Sequence, residues 1–227
     1  VAEVIIVGTS HIAKQSIYEV EKAISSSMPD IVAIELDKRR YHALISGKKK
    51  EKFKFSLNQI KSVGVKGFIF QLIGAYAEKK LGDTVGVSPG DEMIAAIKAA
   101  HHINAKIALI DRDIGITLRR INFGFKDFFT LFKDLLRGLF FRKKEMARMG
   151  LSDFDLSKVP KEEVIEKMVN EVKDKYPGIY NSLIHERNIF MANQLISICS
   201  MHPDSKIVAV MGAGHKTEIT KLITKNI

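Results

Sequence analysis

The chain carries one cysteine, Cys199, inside the apolar run from Leu195 to Cys199. A lone cysteine excludes an intrachain disulfide framework and any cysteine-based metal cluster. It reads as a small buried hydrophobe and fits a reducing compartment. A long apolar run is missing too. The best candidate, Val63 to Ala77, is broken by Lys66 and Gln71 and falls short of the roughly 20 residues that a spanning helix needs. Val4 to Val7 is too short for a secretory signal and has no basic flank before it. Several catalytic signatures are absent: His-Glu-x-x-His, a glycine loop followed by Lys-Ser/Thr, the three-glycine dinucleotide fingerprint and Gly-x-Ser-x-Gly. Their absence argues against a common zinc peptidase, a P-loop NTPase, a Rossmann oxidoreductase and an ordinary esterase. No low-complexity tract or fixed-period repeat is present.

What remains is 227 residues, 46% of them apolar, enough for one domain with a full core. Residue one is Val, so we expect a single domain cut from a longer protein. The formal net charge is +10. That charge draws anionic partners in general and does not choose among them; its plainest reading is a lysine-rich solvated surface.

Local patterns predict alternating strands and helices. Val4 to Val7, Ile31 to Ile34, Ala105 to Ile110 and Lys206 to Met211 read as buried strands, with Gly8 and Gly212 ending the first and last. Ile17, Val20 and Ile24 keep a helical period, and Ser16 with Glu19 has the spacing of a capping box. Further helices are expected over Arg39 to Ile45, Leu57 to Lys80, after Ser88-Pro89-Gly90-Asp91, over Ile184 to Ser200 and over Thr217 to Thr224. A helical insertion spans about 119–176. Within it, Phe123, Phe125, Phe128, Phe129, Phe132, Phe140 and Phe141 alternate with lysines and arginines. Three uses compete for this stretch at 123–144: a helix packed on the core, a membrane-surface helix and a partner-docking helix. Basicity alone does not signal nucleic-acid binding, and none is expected. The fold class is therefore α/β, with a central mixed, largely parallel sheet flanked by helices.

Parallel sheets bind ligands outside the carboxyl ends of their strands. Gly8-Thr9-Ser10-His11 and Gly212-Ala213-Gly214-His215 each follow a strand, so His11 and His215 can meet at one rim. Glu35, Asp111, Arg112 and Asp113 follow the other two strands to the same rim. Two imidazoles with a carboxylate suit zinc, manganese, cobalt or iron, and such an ion activates water. Glu35 or Glu186 would accept the proton. Arg187 reads either as a clamp for a carboxylate or phosphate or as a buried salt bridge between helix and sheet; Arg119 and Arg120 raise the same choice. His101 and His102 fit a helix end, and His42, His185 and His202 are poorly supported as ligands.

These residues also resemble a family. Val7 to His11, Ile34 to Tyr41, Pro89 to Met93, Leu109 to Ile114, Thr117 to Arg120, Glu186 to Asn188 and Val210 to His215 look like the motifs of the TraB/PrgY family, in order along nearly the whole chain. The family is named for pheromone shutdown in bacteria, and it also has archaeal and eukaryotic members. Its distant relatives include Tiki-type metalloproteases, whose paired Gly-x-x-His motifs and glutamate match Gly8 to His11, Gly212 to His215 and Glu35. The resemblance implies an erythromycin-esterase/ChaN-like fold, a group holding both hydrolases and haem binders. Two departures stand out: Asn188 where the family often has Asp, and Lys216-Thr217-Glu218 where a glycine is often found. Many prokaryotic members carry a membrane-embedded region after this domain, which implies a cytoplasmic domain tethered to a membrane.

The combined expectation is a divalent-metal-dependent hydrolase acting on a peptide. His11, His215 and Glu35 would hold manganese, cobalt or zinc. Glu35, Glu186, Arg187 and Arg112 would carry the chemistry, and Arg39, Asp111, Asp113, Arg119, Gly8 and Gly214 would contact substrate. The alternatives are a non-catalytic binder of a peptide or haem-like ligand, and a membrane-associated scaffold or homo-oligomer built on the Phe-rich stretch.

Overall fold

The computed structural model describes residues 2–10, 14–46, 63–64, 67–68, 90–121, 124, 130, 133–134 and 161–226. Four strands, β1 (Glu3–Thr9), β2 (Ile31–Ile34), β3 (Lys106–Leu109) and β4 (Lys206–Gly212), form one sheet in the order β1-β4-β2-β3. Every pairing among them is parallel. Among the described residues the helices in chain order are α1 (Lys14–Ser27), α2 (Lys38–Ile45), α3 (Asp91–His102), α4 (Ile114–Arg120), α5 (Glu162–Lys175), α6 (Pro177–Tyr180), α7 (Glu186–Met201) and α8 (Ala213–Thr224). The protein is thus an α/β fold whose described strands form a parallel sheet between helical layers.

The central strands explain why their sequences are apolar at every position. Ile31 and Ala33 of β2 and Ile207, Ala209 and Met211 of β4 face one layer, where they meet Met191 and Leu195 of α7 and Ile219 of α8. Val32, Ile34, Val208 and Val210 face the other, against Val20 and Ile24 of α1 and Met93 and Ala96 of α3. A strand covered on both faces has no polar side. A third cluster joins Val63 and Phe68 to Leu118, Ile121, Tyr176 and Ile179.

β4 inserts between β1 and β2, which brings the two ends of the chain together: Gly8 lies beside Met211 and Thr9 beside Gly212. Gly8 does not end β1, because β4 supplies a parallel neighbour as far as Gly212. Its lack of a side chain matters for packing instead. A Cβ there would lie 3.2 Å from Ala213 Cα and 3.2 Å from Lys216 Cδ. α8 starts at Ala213 rather than Thr217, so His215 sits in its first turn. Tertiary burial of His215, Ile219 and Ile223 outweighs the weak helix propensity of Gly214. Gly90 precedes α3 with φ 97, a left-handed conformation that glycine adopts without strain.

Ser16 forms no capping box. Its hydroxyl lies inside α1 and bonds the Ser10 backbone, accepting from N at 2.8 Å and donating to O at 3.0 Å. Pro177 opens α6, a position where its missing N–H costs nothing. α6 then runs into α7 through a widened π turn, Asn181–His185. The insertion is described from residue 161 onward, where α5 and α6 lie. The seven phenylalanines between 123 and 141 and most of the stretch 57–80 fall outside the described residues.

Candidate functional site

The carboxyl rim of the sheet gathers Glu35 after β2, Asp111 after β3 and His215 after β4, with Arg187 from the first turn of α7 at their centre. Arg187 Nε donates to Asp111 Oδ1 at 3.1 Å and Nη2 to Asp111 Oδ2 at 2.6 Å. Nη2 also bonds Glu35 Oε1. Nη1 donates to the Leu183 carbonyl at 3.1 Å and meets His215 Nε2 at 3.2 Å. A guanidinium has five N–H groups, and all five of these are directed at protein acceptors. Burial works against the charge of Arg187, but attraction to Glu35 and Asp111 outweighs it and raises the pKa above its ordinary value. The group is a permanent cation.

Glu35 is equally engaged. Its Oε2 accepts from the Gly212 backbone N–H at 2.6 Å, which pins the turn between β4 and α8 to the end of β2. His215 Nδ1 lies 2.5 Å from Asn188 Oδ1, while Asn188 Nδ2 donates to Glu218 Oε2 at 2.5 Å. That arrangement sets the tautomer. Asn188 turns its oxygen to the ring, so Nδ1 carries the hydrogen and the Nε2 lone pair faces Arg187. The chain of bonds reaches the surface through Glu218, which also meets His185 Nδ1 at 3.0 Å and the Tyr180 hydroxyl at 3.4 Å.

Two further ion-pair groups brace this centre. Arg40 Nε donates to Asp37 Oδ2 at 2.7 Å and Nη2 to Asp111 Oδ2 at 2.5 Å. Asp37 also caps α2 by accepting from the backbone N–H groups of Arg39 and Arg40. Burial pushes the Asp37 carboxyl up, but these bonds and the Arg40 charge hold it below its ordinary value. On the far side, Arg112 Nη1 donates to Glu186 Oε2 at 2.8 Å, and Arg120 reaches the same oxygen at 3.2 Å. The hydrogen bond from Arg112 comes first among the causes that keep the Glu186 carboxyl low. The π turn takes part, since its Ser182 and Leu183 carbonyls accept from Arg112 and Arg187. Such wide turns recur at functional sites because they leave carbonyls outside the regular helical ladder.

The structure brings Glu35, Asp111, Arg187 and His215 into contact, with Arg112 and Glu186 paired beside them. His11 lies outside the described residues. Asp113 caps α4, its Oδ1 accepting from Gly115 N at 2.7 Å and Ile116 N at 3.3 Å. Arg119 Nε bonds the Gly115 carbonyl of its own helix. Arg39 sits in the first turn of α2. Gly214 faces α5, and a Cβ there would meet Val169 Cγ2 at an ordinary 3.6 Å. His215 Nε2 and Glu35 Oε1 are 3.4 Å apart, but the Arg187 guanidinium bonds both. A cationic group thus already stands where a metal would bridge them, and no group of three or more His, Cys, Asp or Glu among the described residues is arranged to hold an ion.

Beside the rim lies a cleft of about 440 Å³, bordered by Gly8 and Ala213 of the two turns. Its walls come from α1, α5 and α8, and they carry Glu19, Glu162 and Lys216.

Arg40, Asp37 and Glu218 fall within or beside the sequence motifs but were given no role in the site from sequence. Asp37 sits at the N-cap position before Lys38 and Arg40 follows three residues on, a spacing that signals a charged cap. Glu218 lies three residues after His215 on α8, one turn along the same face.

The chain matches the model of the TraB/PrgY/gumN family over residues 2–226. It is 38% identical over 98% of its length to an uncharacterized protein of Methanocaldococcus jannaschii, spanning 54% of that protein. It is 24% identical over 97% of its length to the TraB domain-containing proteins of Bos taurus and Homo sapiens, spanning 62% of each. The chain therefore covers little more than half of these relatives. It belongs to the TraB/PrgY/gumN family.

Proposed function

We propose that this family member captures a short peptide without hydrolysing it, in the cleft beside the two glycine turns. The observation that carries this reading is the closed bonding of Arg187. Every N–H of that cation is used on Asp111, Glu35, His215 and Leu183. The rim charges that a hydrolase would need for metal and substrate are spent holding α7 to the sheet. The open chemistry lies next to them, in a cleft of about 440 Å³ with apolar and charged walls, a size common for ligand sites. Capture alone suffices to shut down a peptide signal, because it lowers the free concentration without turnover.

Kinship with the erythromycin-esterase/ChaN-like group belongs to the same proposal, as does a cytoplasmic domain tethered to a membrane through chain outside this one. No helix among the described residues is long and apolar enough to cross a membrane.

The test is incubation with an equimolar pool of random heptapeptides, followed by gel filtration and mass spectrometry of what co-elutes. Intact peptides retained with the protein are expected. Fragments that grow with time and stop on chelation would return the metal-hydrolase reading.

A further inference from the structure

Among the described residues, the cleft runs along a sheet edge. It touches Ile6, Val7 and Gly8 in succession. Successive residues of a strand point to opposite faces, so a pocket on one face would touch alternate residues only. Its walls confirm the position. Gln15 and Glu19 come from α1, which covers one face of the sheet, and Lys216 comes from α8, which covers the other. Between them runs the outer side of β1, which pairs with β4 on its inner side and with no other strand among the described residues. An edge strand presents a row of N–H and C=O groups able to pair with an added strand. Helices on both faces turn that edge into a groove, the arrangement in which extended peptides add to a sheet.

The charges select among peptides. Glu19 Oε1 accepts from Gln15 at 2.5 Å and Glu162 Oε1 accepts from Thr217 at 2.8 Å, which leaves Oε2 of each carboxylate for a cation. Lys216 lies at the Gly8 end, its stem against the glycine. Two carboxylates against one ammonium make the groove locally acidic on a chain whose net charge is +10. A basic peptide is repelled by most of this surface and attracted here.

Resting on the peptide-capture reading, we infer that the ligand is an extended peptide carrying a basic side chain, bound as an added strand along β1. Main-chain bonds to the strand supply affinity, and Glu19 with Glu162 reads the basic residue.

The probe is a fluorescein-labelled heptapeptide, Val-Thr-Val-Lys-Val-Thr-Val, followed by anisotropy and by amide chemical shifts. Versions N-methylated on either set of alternate amides separate the two edges of the peptide. Blocking the set that faces β1 lowers affinity at least tenfold, and blocking the other set does not. Replacing the probe's lysine by glutamate also weakens binding at least tenfold, and the double variant Glu19→Lys, Glu162→Lys reverses that preference. The amides of Ile6, Val7 and Gly8 shift on binding. Indifference to both N-methylated versions, or shifts centred on Gly212 and Arg187, overturns strand addition while peptide capture stands. The same holds if the random pool binds and the lysine probe does not. Failure of the pool as well removes both readings.

Discussion

Arg187 and Asp111 are joined at two points, Nε to Oδ1 at 3.1 Å and Nη2 to Oδ2 at 2.6 Å, tying the first turn of α7 to the end of β3. The planar guanidinium matches the carboxylate edge to edge, a fit that a lysine ammonium cannot reproduce. Because Arg187 also bonds Glu35, one side chain links two strands to a helix.

Removing that cation takes one ion-pair partner from each of two buried carboxylates, Glu35 and Asp111, and leaves Asp111 with Arg40. Arg187→Met should lower stability by about 3–5 kcal/mol, the usual cost of breaking a buried ion pair on one side. Arg187→Lys should recover only part of it. Urea unfolding at neutral pH measures both. A loss below 1 kcal/mol for the methionine variant, within the range of exposed pairs, would show that the network does not brace the fold.

Asn188 holds His215 in its tautomer and is itself held by Glu218. Asn188→Asp keeps the acceptor for the ring but sets a second carboxylate beside Glu218. The variant should be destabilised at neutral pH, and adding Glu218→Gln should restore much of the loss. Nitrogen chemical shifts of the wild-type His215 ring should show hydrogen on Nδ1; hydrogen on Nε2 would refute the arrangement.

The two turn glycines should behave differently. Gly8→Ala forces a Cβ to within 3.2 Å of the Ala213 backbone, which cannot yield easily. A loss of about 1–3 kcal/mol is expected, as for other overpacked sites. Gly214→Ala meets only an ordinary contact at 3.6 Å inside a helix. It should be neutral or stabilising by up to about 1 kcal/mol. Thermal unfolding of the pair checks the contrast.

Acid should weaken the fold through Asp37 and Glu186, whose folded pKa values lie below their ordinary ones. A depressed carboxylate contributes stability above its unfolded pKa, about 4 for these groups, and loses it as pH falls through the lower folded value. Their contribution is therefore constant between pH 7 and about 5 and fades below about 4. Asp37→Asn and Glu186→Gln should each flatten the acid limb of a plot of urea midpoint against pH. An unchanged limb in both would remove these two carboxylates as its cause.

Metal content provides a separate check. After dialysis, with manganese, cobalt and zinc supplied beforehand, the protein should retain less than one equivalent by elemental analysis, and His215→Ala should not change it. A full equivalent, lost in both His11→Ala and His215→Ala, would place the two histidines in one metal site and reverse the functional reading.

Much of the sheet was legible from local pattern. The four apolar runs are the four described strands, and three of them deliver the residues expected at their carboxyl ends: Glu35, Asp111 and, one helical turn into α8, His215; His11, expected after the first, lies outside the described residues. Boundaries were less legible where a distant segment decides them. β1 runs through Gly8 because β4 lies beside it, and α8 begins four residues early because burial overrides a weak helix former. Ser16 and Glu19 had the spacing of a cap, but Ser16 turned inward to the Ser10 backbone.

The sequence by itself determined the α/β class and the family, because apolar periodicity and ordered motifs are local properties of the chain. Whether Arg187 faces a ligand or the protein is not local. It depends on β4 entering between β1 and β2, which sets Glu35, Asp111 and His215 around one guanidinium. Only the tertiary structure decided that, since a carboxylate takes whichever cation the fold brings within hydrogen-bonding distance.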